Sequence, residues 1–183
     1  MAPGPHLNLG SGGRTDDGWV HVDREPPAGV IADLRDPLPW DTGTVEWIVA
    51  HHVLDELTRA EAQSLLNECR RVLQPNEGVM RISLADLGEA DYRFVKGDRD
   101  WFPAVCRPEE TTPIREVARR SITDNGARKT AMIAEGWVQL FSRAGFNQLA
   151  RVSYKDTRFG GPGIVDLDDR PGESFFMEAR VVE

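Results

Sequence analysis

A chain of 183 residues with 40% hydrophobic residues and five tryptophans is long enough for one domain with a buried core, and too short for two ordinary domains. Its formal net charge of −8 argues against a nucleic-acid backbone as the main partner, and no apolar run is long enough to span a membrane. The first residues lack the basic and apolar segments of a secretory leader, so the sequence predicts a cytoplasmic protein with no membrane anchor.

The first predicted element is a strand over residues 6–9 that stops at a glycine cluster. Gly10 and Gly12 lack a Cβ, so the backbone can turn sharply there and a ligand can lie against its N–H groups. A second extended run, residues 19–23, ends in Asp23, whose carboxylate can accept both hydroxyls of a ribose. The dinucleotide fingerprint would place a third glycine where Thr15 stands, so an ordinary turn explains the glycines equally well at this point.

The rest of the chain alternates between predicted strands and helices. Apolar runs predict strands at residues 30–33, 45–50, 79–84, 146–154 and 174–182. Thr58 and Glu61 form a capping box before an amphipathic helix, whose apolar face carries Ala62, Leu65, Leu66, Cys69, Val72 and Leu73. A second helical stripe runs from Ile133 to Ala144 and stops at Gly145. Alternation in this order is the signature of a mostly parallel α/β sheet.

Residues 88–128 interrupt this pattern as an insertion in which only residues 114–122 suggest a helix. Variable loops at the ends of strands build the pocket in open α/β sheets, so we expect the insertion to set substrate specificity. Within the insertion, Trp101 and Phe102 are the candidates for lining a substrate pocket, since aromatic faces pack against sugar-like rings. The alternative is that the insertion, with both rings, only covers the surface of the sheet.

No metal site is predicted. Cys69 falls on the apolar helix face as a small core residue, and Cys106 lies in a loop without ligand spacing. The acidic residues Asp166, Asp168 and Asp169 lack the glycine and the closing Glu of a calcium loop. Their spacing predicts a solvated turn.

The connections after the first two strands are unusually short. Residues 11–18 and 24–29 cannot hold the crossover helices that join parallel strands, which need about ten residues or more. Either tight irregular turns join those strands, or one apolar face of that half of the sheet is left bare. A bare face must be covered, and the insertion 88–128 or the second subunit of a homodimer are the candidates.

An ordered set of motifs resembles the class I S-adenosylmethionine-dependent methyltransferases. The set comprises Leu7-Asn-Leu-Gly-Ser-Gly12, Trp19-Val-His-Val-Asp23, Ala32-Asp-Leu34, Leu38-Pro-Trp40, His51-His-Val-Leu54, Glu68-Cys-Arg-Arg-Val-Leu-Gln-Pro75 and Asp86-Leu87. It is most similar to a small bacterial branch of that class and covers most of the chain outside residues 88–128. The chain departs from the branch at His51, where Ser is usual, and at Asp55-Glu56, where Glu-His is usual.

The resemblance implies an α/β, Rossmann-like fold, with a seven-stranded, mostly parallel sheet and an antiparallel last strand, in one methyltransferase domain over residues 1–183. It also implies S-adenosyl-L-methionine as the cofactor. Gly10, Ser11 and Gly12 would then contact the methionine part, Asp23 the ribose, and Asp33 with Leu34 the adenine. His51 and His52 would lie beside the transferable methyl, and Arg24 is also expected to bind the cofactor.

The resemblance further implies methyl transfer to a polar small molecule or glycan, with an oxygen as the expected acceptor. A hydroxyl must lose a proton, and His52 is the predicted catalytic base, with His51 and Asp86 as alternates. An ordinary histidine pKa of about 6.5 predicts an acidic limb near pH 6–7 in the activity. A protein that binds the cofactor without transfer, or acts as a scaffold, is the alternative function. A nicotinamide oxidoreductase is disfavoured by the missing third glycine and the short first crossover.

Overall fold

The computed structural model describes residues 4–123 and 126–182, so the start of the chain and two residues of the predicted insertion lie outside the description. Seven strands form a single sheet, with bounds β1 His6–Leu9, β2 Val20–Asp23, β3 Val30–Ile31, β4 Trp47–His51, β5 Val79–Ala85, β6 Gln148–Val152 and β7 Ser174–Arg180. Their order across the sheet is β3-β2-β1-β4-β5-β7-β6. The last strand, β7, runs antiparallel to both of its neighbours, and the other pairs of neighbouring strands are parallel, which confirms the predicted sheet.

Four α-helices accompany the sheet in the described residues: α1 Arg59–Val72, α2 Leu87–Lys96, α3 Ile114–Thr123 and α4 Ala134–Arg143. The predicted capping box starts α1, because Thr58 Oγ1 accepts from the Glu61 N–H at 3.3 Å and Glu61 Oε2 accepts from the Thr58 N–H at 2.8 Å. No helix in these residues is long and apolar enough to cross a membrane.

One face of the sheet packs against α1 and α4 to form the main hydrophobic core. Alternate residues of each strand point to this face, as the two-residue period of a strand requires. The fully buried members from the strands include Leu7, Leu9, Val22, Ile48, Ala50, Met80 and Ile82, and those from the helices include Leu65, Leu66, Cys69, Trp137 and Phe141. Cys69 is therefore a core residue, as predicted.

The opposite face is closed by the connection between β6 and β7, residues 153–173, which we call the covering loop. Its Ile164 and Leu167 are buried against Val49 of β4 and Val79 of β5. Gly161 lies so close to the Trp47 ring that an added Cβ would approach that ring to 2.7 Å. The central part of the loop is thus packed on the sheet.

Short irregular turns join the N-terminal strands, which is the first of the two predicted alternatives, and the face beneath these strands carries buried polar residues rather than a bare apolar surface. Asn8 of β1 and His21 of β2 are buried on it, with Asn8 Nδ2 3.1 Å from His21 Nδ1. His21 Nε2 lies 2.9 Å from the carbonyl oxygen of Asp16, in the short connection 11–18. Because the chain's own connections and the covering loop bury this face, neither the insertion nor a second subunit is needed to cover it.

A buried ionic cluster holds the covering loop to the sheet. Arg81 of β5 donates from Nε to Asp168 Oδ1 at 2.7 Å and from a terminal nitrogen to Glu178 Oε1 at 2.8 Å, and all three side chains are fully buried. The predicted solvated turn is therefore wrong for Asp168. No group of three or more metal-ligating side chains occurs in the part of the chain that the structure describes.

The insertion forms a small cluster of its own. Helices α2 and α3 pack on each other around Phe102 and Cys106, which are buried together with Ala90, Val117 and Ala118. Trp101 packs against this cluster at its edge and is partly buried. The sequence predicted α3 but not α2.

Candidate functional site

A cavity of about 540 Å³ opens at the carboxyl ends of β1, β2 and β4, within the usual range of about 300–1,000 Å³ for ligand pockets. Crevices at this edge are where open α/β sheets bind their ligands. Six of the predicted cofactor residues line it, namely Gly10, Gly12, Asp23, Arg24, Asp33 and Leu34. The others that line it are Arg35, His52, Val53, Glu56, Leu57, Gly126, Ala127 and Lys129.

The glycine turn after β1 has a distinct reason for each of its two glycines. Both lie in the left-handed region, with φ of 65° at Gly10 and 57° at Gly12. A Cβ at Gly10 would overlap the side chain of Val53, whereas a Cβ at Gly12 would meet no atom within 4 Å. Gly10 therefore allows close packing, and Gly12 leaves the turn open beside the cavity.

Asp23 ties the glycine turn to the end of β2. Its Oδ2 accepts from the Gly12 N–H at 2.9 Å, and its Oδ1 accepts from the Arg24 N–H at 2.6 Å. A carboxylate has about four acceptor sites on its two oxygens, so each oxygen can still accept from a ligand hydroxyl. These two hydrogen bonds fix the carboxylate at the cavity wall and leave acceptor capacity on both of its oxygens.

Asp33, which follows β3, forms an ion pair with Arg35, a residue that was not among the predicted site residues. Arg35 Nε donates to Asp33 Oδ1 at 2.9 Å, and the Arg35 backbone N–H donates to the same oxygen at 3.0 Å. These hydrogen bonds hold the pKa of the Asp33 carboxyl well below its usual range. The pair is exposed, so this end of the cavity presents both charges to a ligand.

His52 follows β4 and lies at the cavity wall in a strained backbone conformation, with φ of 52°. Its backbone N–H donates to the Ser83 carbonyl oxygen at 2.9 Å, and its Nε2 lies 2.7 Å from Ser174 Oγ at the start of β7. The Nδ1 is buried without a hydrogen-bond partner and lies 4.0 Å from Asp55 Oδ2. Burial, reinforced by Arg170, Arg128 and His51, lowers the pKa of His52 to about 3.

His51, Ser11 and Asp86 are predicted site residues that do not line the cavity. His51 points to the covering-loop face, where Nδ1 lies 2.8 Å from Ser83 Oγ and Nε2 lies 3.7 Å from Asp168 Oδ1. Burial lowers the pKa of His51 to about 4, although the charge of Asp168 opposes this shift. Ser11 is buried within the glycine turn, and its Oγ has no hydrogen-bond partner among the described residues.

Asp86 caps α2, where Oδ1 accepts from the Glu89 N–H at 3.2 Å and Oδ2 accepts from Arg151 at 2.6 Å. Both oxygens thus already have partners within the protein. Trp101 lies beside Asp86 at a separate small cavity, and neither Trp101 nor Phe102 lines the large one.

The insertion and the residue just after it reach the large cavity through a different segment, residues 126–129. Asp55 holds that segment, because its carbonyl oxygen accepts from the N–H groups of Lys129 at 2.8 Å and Thr130 at 3.0 Å. Arg128 Nε donates to the Asp55 carboxylate at 2.6 Å. Lys129 and Ser174 were not predicted as site residues, because each joins the site from a distant part of the chain and carries no local motif.

No protein-family model matches the sequence, and no curated protein matches it. Among solved structures, the chain is similar to the SAM-dependent methyltransferase TM1293 from Thermotoga maritima, with 15% identity and a TM-score of 0.55 over 98% of this chain and 83% of that one. It is also similar to a SAM-dependent methyltransferase from Archaeoglobus fulgidus, with 10% identity and a TM-score of 0.58 over 97% and 86%.

The CMeT domain of the citrinin polyketide synthase is a third similar structure, with 11% identity and a TM-score of 0.57. The match covers 99% of this chain and 47% of that one, so the chain spans about half of that structure. These likenesses concern the fold. The chain has the Rossmann-like, seven-stranded fold of the class I methyltransferases, which confirms the predicted fold class.

Proposed function

We propose that this chain is an S-adenosylmethionine-dependent methyltransferase that acts on a polar small molecule or glycan, with transfer to oxygen. The observation that carries the proposal is the Asp23 carboxylate, held by two backbone N–H groups beside the Gly10–Gly12 turn in one cavity. A fold alone hosts many functions, so the argument rests on this site.

The residues present fit the cofactor in charge and in unused hydrogen-bonding capacity. The cofactor has a carboxylate, an ammonium and a sulfonium, and the cavity wall offers both signs: the acids Asp23, Asp33 and Glu56, and the bases Arg24, Arg35 and Lys129. Ser11 Oγ and His52 Nδ1 are buried at or beside the cavity without partners in the described residues. Such orphaned groups in a native structure call for an explanation, and a bound ligand supplies one.

Each residue then has a role in binding or alignment. The Gly10–Gly12 turn would hold the methionine part, Asp23 and Arg24 the ribose, and Asp33 with Leu34 the adenine. The cofactor supplies an activated methyl group, and transfer of that group is an in-line displacement that depends chiefly on alignment. His52, neutral at physiological pH, is the residue that we propose would accept a hydrogen bond from an acceptor hydroxyl or take its proton.

The methyl acceptor and the cellular location are the more specific parts of the proposal. Motif similarity to the small bacterial branch supports a polar metabolite or a sugar, and the mixed charges of the cavity wall suit such a molecule. We place the enzyme in the cytoplasm, acting as a single domain with the insertion at residues 88–128 contributing to specificity through Gly126 and Ala127.

Calorimetry with S-adenosylhomocysteine tests the cofactor site without a known acceptor. We expect binding in the micromolar range, and Asp23→Ala should weaken it by about tenfold or more, since hydrogen bonds to a charged group contribute about 1.5–3 kcal/mol each. Asp17→Ala removes an exposed acid from the same loop region and should leave the dissociation constant unchanged.

Three outcomes would contradict the proposal. Absence of both heat and thermal shift at millimolar ligand would exclude the cofactor. Unchanged affinity in a folded Asp23→Ala protein would remove Asp23 from the site. Preferential binding of NAD in the same assay would instead favour an oxidoreductase.

A further inference from the structure

Strand β6 forms an open edge of the sheet, at the end opposite to the cofactor cavity. In the described residues it pairs only with β7, so one side of its backbone faces no other strand. An unpaired edge of this kind is a template for an added strand. A surface groove runs along it, lined by the strand itself together with Arg158, Phe159 and Arg180.

Arginines stand on both sides of this edge. Arg151 lies on the helix-covered face, where its guanidinium is 5.8 Å from the Phe175 ring centre, and its side chain is 64% exposed. Arg158 and Arg180 lie on the covering-loop face. Within residues 4–123 and 126–182, neither Arg158 nor Arg180 forms an ion pair, whereas Arg151 pairs with Asp86. In a chain of net charge −8, Arg158 and Arg180, which have no ion pair in the described residues, make this groove a local positive site.

Phe159 holds two of these guanidinium groups in place. The Arg180 guanidinium carbon lies 4.7 Å from the Phe159 ring centre, and that of Arg158 lies 5.9 Å from it. Arg180 Nε donates to Gln148 Oε1 at 2.7 Å, which leaves its terminal nitrogens for other acceptors. A stacked guanidinium loses little freedom on binding a carboxylate, so this geometry is prepared for acidic groups.

We propose that the β6 edge binds an extended acidic peptide segment of a partner protein, which adds a strand to the sheet. Successive side chains of an added strand point to opposite faces, so acids at adjacent positions would meet Arg151 on one face and Arg158 and Arg180 on the other. A second copy pairing edge to edge about a two-fold axis would bring like charges together, which disfavours it.

Fluorescence anisotropy with the full chain tests this surface. The probe is a labelled peptide of glutamate and threonine with glutamates at adjacent positions. We expect saturable, salt-sensitive binding, and Arg158→Glu should weaken it by about tenfold, because it replaces an attractive rim charge with a repulsive one. Arg115→Glu, an equal charge change at an exposed position of α3, should leave it within about twofold.

Two modified peptides separate strand addition from simple charge attraction. A glutamine version lacks the charges, and a version N-methylated at every second amide lacks the donors of one strand edge, so both should bind at least about tenfold more weakly. Calorimetry with S-adenosylhomocysteine should give the same affinity for the Arg158→Glu and wild-type proteins, which keeps this test separate from the proposed activity.

Four results would overturn the proposal. If the glutamate peptide causes no detectable change in anisotropy, the arginines would serve only to prevent edge-to-edge aggregation of the sheet. If the N-methylated peptide binds equally well, no strand is added and the site only attracts negative charge. A dimer in light scattering that Arg158→Glu dissociates would assign the edge to a second copy, and tighter binding of single-stranded RNA would assign it to nucleic acid.

Discussion

His52 is the residue at which backbone strain, burial and the cavity coincide. A left-handed conformation costs a residue with a side chain about 1–2 kcal/mol, and it persists only where the surroundings enforce it. Here the backbone bond to Ser83 and the side-chain contact with Ser174 enforce it. Strain of this kind occurs often at functional sites, which supports a role for His52 beyond packing.

The low pKa of His52 changes the pH profile predicted from the sequence. At a pKa of about 3 the imidazole is neutral across the physiological range, so an acidic limb near pH 6–7 is not expected from this residue. We predict that its Cε1–H resonance keeps the chemical shift of neutral imidazole from pH 7 down to about pH 5, an interval far above the shifted pKa.

Substitution of His52 separates a proton-transfer role from a positioning role. With an identified acceptor, His52→Gln should lower kcat by about 10²–10⁴-fold if the imidazole takes the proton, and much less if it only orients the hydroxyl. Wild-type turnover in a folded His52→Gln protein that binds the cofactor normally would exclude both roles. A resonance that titrates near pH 6.5 would show that the residue is hydrated rather than buried.

At the scale of elements, the covering loop replaces the crossover helices that the short N-terminal connections cannot form. Its attachment depends on Arg81, whose partners Asp168 and Glu178 come from the loop and from β7. Arg81→Met leaves two buried acids without their cation, and breaking a buried pair in this way costs about 3–5 kcal/mol. We expect urea denaturation to give that loss in the free energy of unfolding.

A matched control comes from the surface. Arg119→Met removes an exposed pair with Glu116 on α3 and should cost less than about 1 kcal/mol. If Arg81→Met does not fold, a triple variant that removes all three charges should recover a folded protein. This variant combines Arg81→Met with Asp168→Asn and Glu178→Gln. Equal losses for Arg81→Met and Arg119→Met would show that the cluster does not hold the loop.

The strands and α1 were predictable because their signals are local. Apolar periodicity and the Thr58 capping box lie within single segments, and the structure has them within a few residues of the expected bounds. Helix α2 was not predictable because it buries only Ala90, while Tyr92, Phe94 and Val95 remain exposed and form no core stripe. Asp168 was misjudged because its partner Arg81 lies 87 residues earlier, beyond any spacing rule.

At the scale of the whole molecule, the two buried histidines make stability depend on pH. Their pKa values fall from about 6.5 when unfolded to about 4 for His51 and about 3 for His52 when folded. Between those limits the unfolded chain binds protons that the folded protein does not. Stability therefore falls as the pH drops below about 6.5, by about 1.4 kcal/mol per pH unit for each histidine.

Substitution of both histidines tests the direction and the size of this change in stability with pH. The variant His51→Asn, His52→Asn should lose less stability than the wild type between about pH 6.5 and pH 5, by up to about 1.4 kcal/mol per pH unit for each site. Asparagine tolerates the left-handed backbone at residue 52, so the variant is expected to fold. Parallel stability curves for the two proteins would show that neither histidine is buried in its neutral form.

The covering loop also has a consequence for the order of events during synthesis. Arg14, in the turn after the first glycines, donates to the Leu167 carbonyl oxygen across 153 residues of chain. A ribosome therefore releases the N-terminal strands long before the segment that shields their polar side exists. Contacts so distant in sequence slow folding, because a large loop must close before they form. The half of the sheet that holds the cavity beside Asp23 is made first and completed last, so its unpaired strands are exposed in the interval.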